Sequence, residues 1–246
     1  MGDLGTFPRV FVGTLHSGEG DFPACEDAVR RQRGVVVQHS TFSGLPEKEA
    51  HNALWHAWRE AQVGCSMFVK VDADTVLAHD EVLLELWRMM RANPRITGIQ
   101  APLLDYFTDG SINGLNCFSP RVTFNDTESD LFCDRGIDVD HDVVVKADGV
   151  PERLSPAGYH AFNPTDVQAL HYGLHRALKG QASVIMRVRS AWLRHRDRHR
   201  ALALIGAGLA PGFTAGGFNY VDERFQAAAR TALDRYDELI AGLAGE

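Results

Sequence analysis

Short apolar runs alternate with stretches of helical periodicity through the first hundred residues of the chain. The segment 47–61, for example, brings Leu54, Trp55 and Trp58 onto one helical face. The pattern predicts strands over 9–14, 34–39, 67–72 and 96–103, and helices over 22–33, 47–61 and 81–92. Such alternation is typical of βαβ units, so we expect an α/β fold with a mixed, mainly parallel sheet flanked by helices.

The pattern changes in the middle of the chain and again after it. Residues 104–150 are rich in Asp, Gly and Asn and indicate loops and antiparallel strands. Helical patterns return at 166–179, where Pro164 and Asp166 supply start signals, and continue over 182–204 and 221–243. The glycine-rich stretch 206–219 between them is a candidate flexible loop or lid.

Bulk properties exclude several classes of protein. The chain has 246 residues, 45% hydrophobic, 23% charged, with a net charge of −7, which is typical of a globular protein without a global basic excess. The four cysteines form no CxxC pair, which favours a reducing compartment. No run reaches the roughly 18 apolar residues that span a bilayer. We therefore expect a cytoplasmic protein, with peripheral membrane association left open.

The candidate chemistry lies at the end of the third predicted strand, where Asp72 and Asp74 are separated by one residue. Residues i and i+2 of a strand point to the same face, so both carboxylates reach one cation if the strand continues to Asp74. If the chain turns there, one of them acts through water. Oxygen ligands favour Mg²⁺, Mn²⁺ or Ca²⁺, and a phosphorylated substrate commonly completes a Mg²⁺ shell. The alternative is an acidic pair that caps the next helix or solvates a turn.

An apolar strand that delivers Asp-x-Asp after two βα units resembles the GT-A fold of nucleotide-sugar glycosyltransferases, and family 2 in particular. The resemblance implies a Rossmann-like GT-A domain over 1–180, with a nucleotide-binding half (1–103), an acceptor half (104–180) and a helical extension (181–246). It also implies Mn²⁺ or Mg²⁺ and a nucleoside-diphosphate sugar donor. The acceptor is left open among a small molecule, a glycan, a lipid-linked molecule and a nucleic acid. Gln-x-x-Arg-Trp is absent, which favours single transfer over polymerisation.

The same resemblance implies roles for particular residues. Asp72 and Asp74 hold the metal, and His160, in a loop before a helix, is the candidate third ligand. Candidate donor-binding residues are Thr14, His16, Lys48, His51, Asp72, Arg176 and Lys179. His51 stands where the family often has arginine, so Lys48 is the alternative source of positive charge.

The acidic segment 128–135 partly resembles the part of family 2 enzymes that carries the catalytic base. Inverting transfer needs a carboxylate that takes the proton of the attacking acceptor hydroxyl. The first candidate is Asp130, with Glu128 and Asp134 as alternates. A solvated acidic loop is the competing interpretation.

Two other interpretations use the same sequence differently. Asp72-Ala73-Asp74-Thr75-Val76 satisfies the Asp-x-Asp-x-Thr/Val motif of haloacid-dehalogenase-like phosphatases, whose first aspartate attacks phosphorus. That family opens with the motif on its first strand, however, and this chain has two βα units before it. The basic segment 187–200 would alternatively bind nucleic acid or an anionic lipid surface, unless acidic neighbours pair with it.

His171 and His175 are four residues apart and share a helix face, as zinc-binding pairs do. No adjacent Glu completes His-Glu-x-x-His. A packed or acceptor-facing role is therefore favoured for both histidines.

Overall fold

A computed structural model describes residues 7–133, 137–138, 143–214 and 216–244 of the chain. The strands are β1 (Arg9–His16), β2 (Val36–Ser43), β3 (Met67–Lys70), β4 (Thr75–Leu77), β5 (Ile96–Asp105), β6 (Gly110–Phe118), β7 (Thr123–Phe124), β8 (Ile137–Asp138), β9 (Val143–Val145) and β10 (Gly158–His160). The helices are α1 (Phe22–Arg30), α2 (Glu47–Ala61), α3 (Val82–Ala92), α4 (Asp166–Leu178), α5 (Ala182–His195), α6 (Arg198–Gly208), α7 (Glu223–Asp234) and α8 (Tyr236–Ala244).

The main sheet has the strand order β2-β1-β3-β6-β5-β10-β4. β9 pairs with the first residues of β5, on the edge of β5 opposite β6. β1, β2, β3, β5, β9 and β10 run in one direction, whereas β4 and β6 run in the other. The sheet is therefore mixed and mainly parallel. This confirms the fold class predicted from the alternating pattern.

Helices cover both faces of the sheet, which explains why its central strands are continuously apolar. Met67 and Val69 of β3 pack into the core shared with α1 and α3, whereas Phe68 between them packs into the core shared with α2. On that second face Phe68 contacts Trp55 and Trp58, with ring centroids 6.1 and 5.2 Å apart. The alternation fixes the register of β3, because a shift of one residue would exchange the two faces.

The C-terminal helices share a third apolar core, which extends from Phe107 to Leu243 and so crosses residue 180. The predicted helix 182–204 is two helices. Arg196 has a left-handed backbone (φ 52°), and the Asp197 carboxylate accepts a hydrogen bond from the backbone N–H of Arg200, capping α6. The predicted helix 221–243 is likewise divided, into α7 and α8. The proposed domain boundaries stay a prediction.

The glycine-rich stretch differs from the expected lid. Its first part, Gly206 and Gly208, belongs to α6, and the 3₁₀ turn Ala210–Phe213 follows. The four cysteines are buried and form no disulfide among the residues that the structure describes. Within the described ranges, no helix combines the length and the apolar character needed to cross a bilayer.

Candidate active site

Four strands that run in the same direction end at one edge of the sheet and bring polar groups together there. β1 leads to Glu19, β3 to Asp72 and Asp74, β5 to Asp105 and β10 to His160. The carboxyl edge of a mainly parallel sheet is the usual place for a ligand site. Sequence and topology together therefore assemble an acidic site around the motif.

The chain turns immediately after β3. The strand ends at Lys70, and the backbone N–H of Thr75 donates to the carbonyl of Asp72 at 2.8 Å. Of the two alternatives drawn from the sequence, the chain takes the turn, so the pleat of β3 does not place Asp72 and Asp74 on one strand face. Both side chains nevertheless line the same cavity.

One carboxylate oxygen of Asp74 has hydrogen-bonding neighbours, and the other has none among the described residues. Its Oδ2 accepts a hydrogen bond from Gln168 Nε2 at 2.9 Å and lies 3.4 Å from His160 Nε2. Its Oδ1 is buried and has no hydrogen-bond partner in the described part of the chain. A buried carboxylate oxygen without a partner is costly, and a bound cation removes that cost. The donor chemistry of this atom fits a hard divalent metal.

Asp72 pairs with Lys70, whose Nζ contacts Oδ1. Burial raises the pKa of Asp72, but the charge and hydrogen bond of Lys70 outweigh it and hold the pKa below its ordinary value. Asp72 is therefore ionised, in the state that binds a cation. Asp72 and Asp74 both line the cavity, and their joint metal-binding role stays a prediction.

His160 connects two carboxylates. Its Nδ1 donates to Asp105 Oδ1 at 2.7 Å, which directs Nε2 toward Asp74. Burial opposes the charged ring, but the charge of Asp74 and the hydrogen bond to Asp105 raise the pKa of His160 to about 9. A carboxylate behind an imidazole is the usual support of a metal-binding histidine. The ligand role of His160 stays a prediction, and it requires loss of the Nε2 proton.

The sequence analysis missed Glu19, in the loop after β1. One carboxylate oxygen accepts the Ser17 backbone N–H at 2.6 Å, and the side chain lines the cavity. Burial, assisted by the nearby charge of Asp74, raises the pKa of Glu19 to about 7 although the Ser17 hydrogen bond lowers it. The available signal was its position directly after the first parallel strand.

Basic and aromatic side chains form another wall of the cavity, whose volume is about 290 Å³. The Arg176 guanidinium lies 4.9 Å from the centre of the Tyr172 ring, and Lys179 lies one turn further along the chain. The lining contributed by α2 and α4 comprises Glu47, Ala50, His51, Gln168, His171, Tyr172, His175, Arg176 and Lys179. Lys70 adds a third cation at the acidic edge.

Three predicted donor-binding residues, Thr14, His16 and Lys48, lie away from the lining. Thr14 is buried in β1, where its hydroxyl contacts His39 Nε2 at 2.9 Å. His16 stacks on Phe22 with a centroid distance of 4.0 Å. Their donor-binding roles stay predictions.

The acidic segment after β7 lies along α2. Asp130 forms an ion pair with Lys48 at 2.8 Å, and its side chain is 62% exposed. Glu128 is exposed as well. Neither these two carboxylates nor Lys48 lines the cavity. Asp134 lies outside the described residues.

The basic segment 187–200 is partly neutralised by acidic neighbours. Arg194 and His195 both contact Asp109 at 3.0 Å, and Arg198 contacts Asp166 at 2.9 Å. Such pairing is what the solvated-helix interpretation expects, and it reduces the charge offered to a polyanion.

No protein-family model matches the sequence, and no curated protein matches it. Among solved structures, the chain is similar to the mannosyltransferase PcManGT from Pyrobaculum calidifontis, which was solved in complex with GDP-Man and Mn²⁺. The TM-score is 0.34 and the sequence identity 16%, and the match covers 97% of this chain and 86% of that chain. A glycosyltransferase involved in glycosylation of the major capsid of PBCV-1 is similar at a TM-score of 0.30 and 13% identity, over 44% of this chain and 59% of that chain. This second match therefore spans less than two thirds of the other protein.

Proposed function

We propose that the protein is a divalent-metal-dependent glycosyltransferase that moves one sugar, with inversion, from a nucleoside-diphosphate sugar to an acceptor hydroxyl. The observation that carries the proposal is the buried, unpartnered Oδ1 of Asp74 at a cavity whose other wall holds Arg176 and Lys179. Acidic groups next to basic groups in one cavity suit a metal diphosphate, which presents both charges.

Asp74 and Asp72 would hold the metal, with His160 as the third protein ligand. A bound Mn²⁺ or Mg²⁺ neutralises charge on a departing diphosphate. Asp105 fixes the orientation of His160 through the 2.7 Å hydrogen bond, and Gln168 fixes the other oxygen of Asp74. The ligands are therefore positioned before the donor arrives.

Arg176, Lys179 and Lys70 would contact the diphosphate oxygens of the donor. Arg176 is oriented by Tyr172 and by a 3.1 Å hydrogen bond to Gln181, which limits its rotamers. A pre-oriented guanidinium loses less entropy when it binds phosphate. The acidic edge and these cations together set the direction in which the donor lies.

Glu19 meets the requirements of the general base better than Asp130. A base must lie within reach of the acceptor and have a pKa near the working pH. Glu19 lines the cavity with a pKa of about 7, whereas Asp130 is exposed and paired with Lys48. We therefore assign the proton transfer to Glu19 and retain Asp130 as the alternative.

We expect Glu19→Gln to lower kcat by about 10²- to 10⁴-fold, the usual contribution of a positioned base, while donor binding is kept. Asp130→Asn should change kcat only a few-fold.

The wild-type rate should rise with pH through an acid limb at or below about pH 7, because Glu19 must lose its proton and a bound cation lowers the pKa of Glu19. Steady-state kinetics over pH check both statements, and the opposite order of the two variants would return the role to Asp130.

The proposed function is tested by thermal unfolding with UDP, GDP, CDP and dTDP, each with and without Mn²⁺ or Mg²⁺. A ligand that binds only the folded protein raises its melting temperature, so we expect stabilisation by at least one nucleotide that requires the metal. No response to any nucleotide, together with hydrolysis of p-nitrophenyl phosphate, would identify the phosphatase instead. Salt-dependent DNA binding without a nucleotide response would favour the polyanion-binding interpretation.

A further inference from the structure

We propose a second metal site, for a Zn²⁺-type cation, formed by Glu47, His51, Cys133 and His175. It differs from the Asp72 and Asp74 site in residues and in donor chemistry. Glu47 and His51 come from one turn of α2, Cys133 from the segment after β7, and His175 from α4. The proposal does not depend on glycosyl transfer.

The four residues converge in the structure. One ligand atom each of Glu47, His51 and Cys133 lies within 4.8 Å of the other two. His175 Nε2 lies 3.5 Å from Glu47 Oε2. Zn²⁺ bond lengths of about 2.0–2.3 Å place neighbouring tetrahedral ligands roughly 3.3–3.8 Å apart. The Glu47 and His175 pair already has this spacing, and shifts of about 1 Å bring the ligand atoms of Glu47, His51 and Cys133 to it.

The histidines have the hydrogen bonding that metal ligands require. His51 donates its Nδ1 proton to the backbone carbonyl of Glu47 at 2.8 Å, the usual support that fixes the tautomer with an Nε2 lone pair. His175 Nε2 is fully buried and makes no hydrogen bond within the described part of the chain, despite its position beside a carboxylate. A bound cation gives this buried nitrogen the partner it lacks.

The donor set selects the metal. A thiolate and two imidazoles favour Zn²⁺ over Mg²⁺ or Mn²⁺, whereas Asp72 and Asp74 offer only oxygen. Cys133 is buried, and its thiol donates to the carbonyl of Ser129 at 3.1 Å. Metal binding replaces that S–H contact with a sulfur–metal bond and releases one proton to the solvent.

The site would fix one wall of the cavity. Glu47, His51 and His175 line that cavity, so the ion would tie α2 to α4 across it. Two hydrogen bonds between Asn52 and Thr127, at 2.7 and 3.2 Å, already hold the segment that leads to Cys133 against α2. The role of His51 is then to hold a metal ion rather than to contact the donor.

The test is titration of the metal-free, reduced protein with Co²⁺, followed by absorption. Thiolate ligation gives a near-ultraviolet charge-transfer band that an all-oxygen site cannot give. We expect this band in the wild type and its loss on addition of Zn²⁺. Cys133→Ser should abolish it, while Cys65→Ser, at another buried cysteine, should keep it. Absence of the band in the folded wild type, or its persistence in Cys133→Ser, would overturn the proposal.

Asp74→Asn separates this site from the proposed transferase site, because it should keep the cobalt band. His51→Ala and His175→Ala should each weaken Zn²⁺ binding by more than the about 10- to 100-fold that loss of an outer hydrogen-bond partner costs. Unchanged Zn²⁺ affinity in both variants would also overturn the assignment. Circular dichroism of each metal-free variant establishes that it is folded.

Discussion

Asp74→Asn is expected to abolish metal-dependent nucleotide binding. The substitution keeps the shape of the side chain but removes the charge and the buried oxygen that lacks a partner. Wild type at a hundredfold excess of nucleotide over Kd should gain about 2.7 kcal/mol, or roughly 5–10 °C in melting temperature for a chain of this size. The variant should show no gain when Mn²⁺ is added. Thermal unfolding with and without Mn²⁺ measures both.

Asp126→Asn is the matched control. Asp126 is exposed and paired with His56 and Arg59, so its loss removes one carboxylate without changing the cavity. This variant should keep the full Mn²⁺-dependent shift. A shift of wild-type size in Asp74→Asn would remove Asp74 from the metal site.

A second readout of Asp74→Asn does not require a ligand. The negative charge of Asp74 is the largest factor that raises the pKa of His160 to about 9. In the metal-free variant the pKa of His160 should therefore fall, and NMR titration of the histidine ring follows it directly. An unchanged pKa would mean that the contact between His160 and Asp74 does not form in solution.

The sequence predicted the elements that local pattern controls. The alternating apolar and helical segments located β1, α2 and β3 because both faces of the sheet are buried and the helices are amphipathic. The pair Asp72 and Asp74 was found for the same reason, as polar residues that directly follow an apolar strand. These features depend on neighbours in the sequence.

Features that depend on pairing between distant segments were missed. The strand over 96–103 was predicted to end before Asp105, and β10 was not predicted. The register that pairs Asp105 with His160 was therefore not predicted either. Glu19 acquires its raised pKa only from burial and from the charge of Asp74 in the folded chain. Spacing alone carries neither fact, because long-range contacts determine both.

The position of the glycine-rich stretch also depends on contacts between distant segments. Gly206 was predicted to begin a flexible loop or lid, but it is buried in α6, where α6 crosses α4. A Cβ added to Gly206 would lie 2.0 Å from the Leu170 carbonyl oxygen, and one added to Gly173 would lie 1.7 Å from that of Ala203. Both contacts involve backbone, which cannot move aside without separating the two helices.

Gly173→Ala and Gly206→Ala should therefore each destabilise the protein by at least about 3 kcal/mol, the upper part of the usual cost of overpacking. Melting temperatures should fall by at least roughly 6 °C.

Gly208→Ala, at the C-terminal end of the same helix, is the control, since no atom lies within 4 Å of its added Cβ. That variant should be unchanged or gain up to about 1 kcal/mol from the better helix propensity of alanine. Equal melting temperatures for Gly206→Ala and Gly208→Ala would show that α4 and α6 do not cross this closely. Because α4 carries Arg176 and His175, a wider crossing would also displace one wall of the cavity.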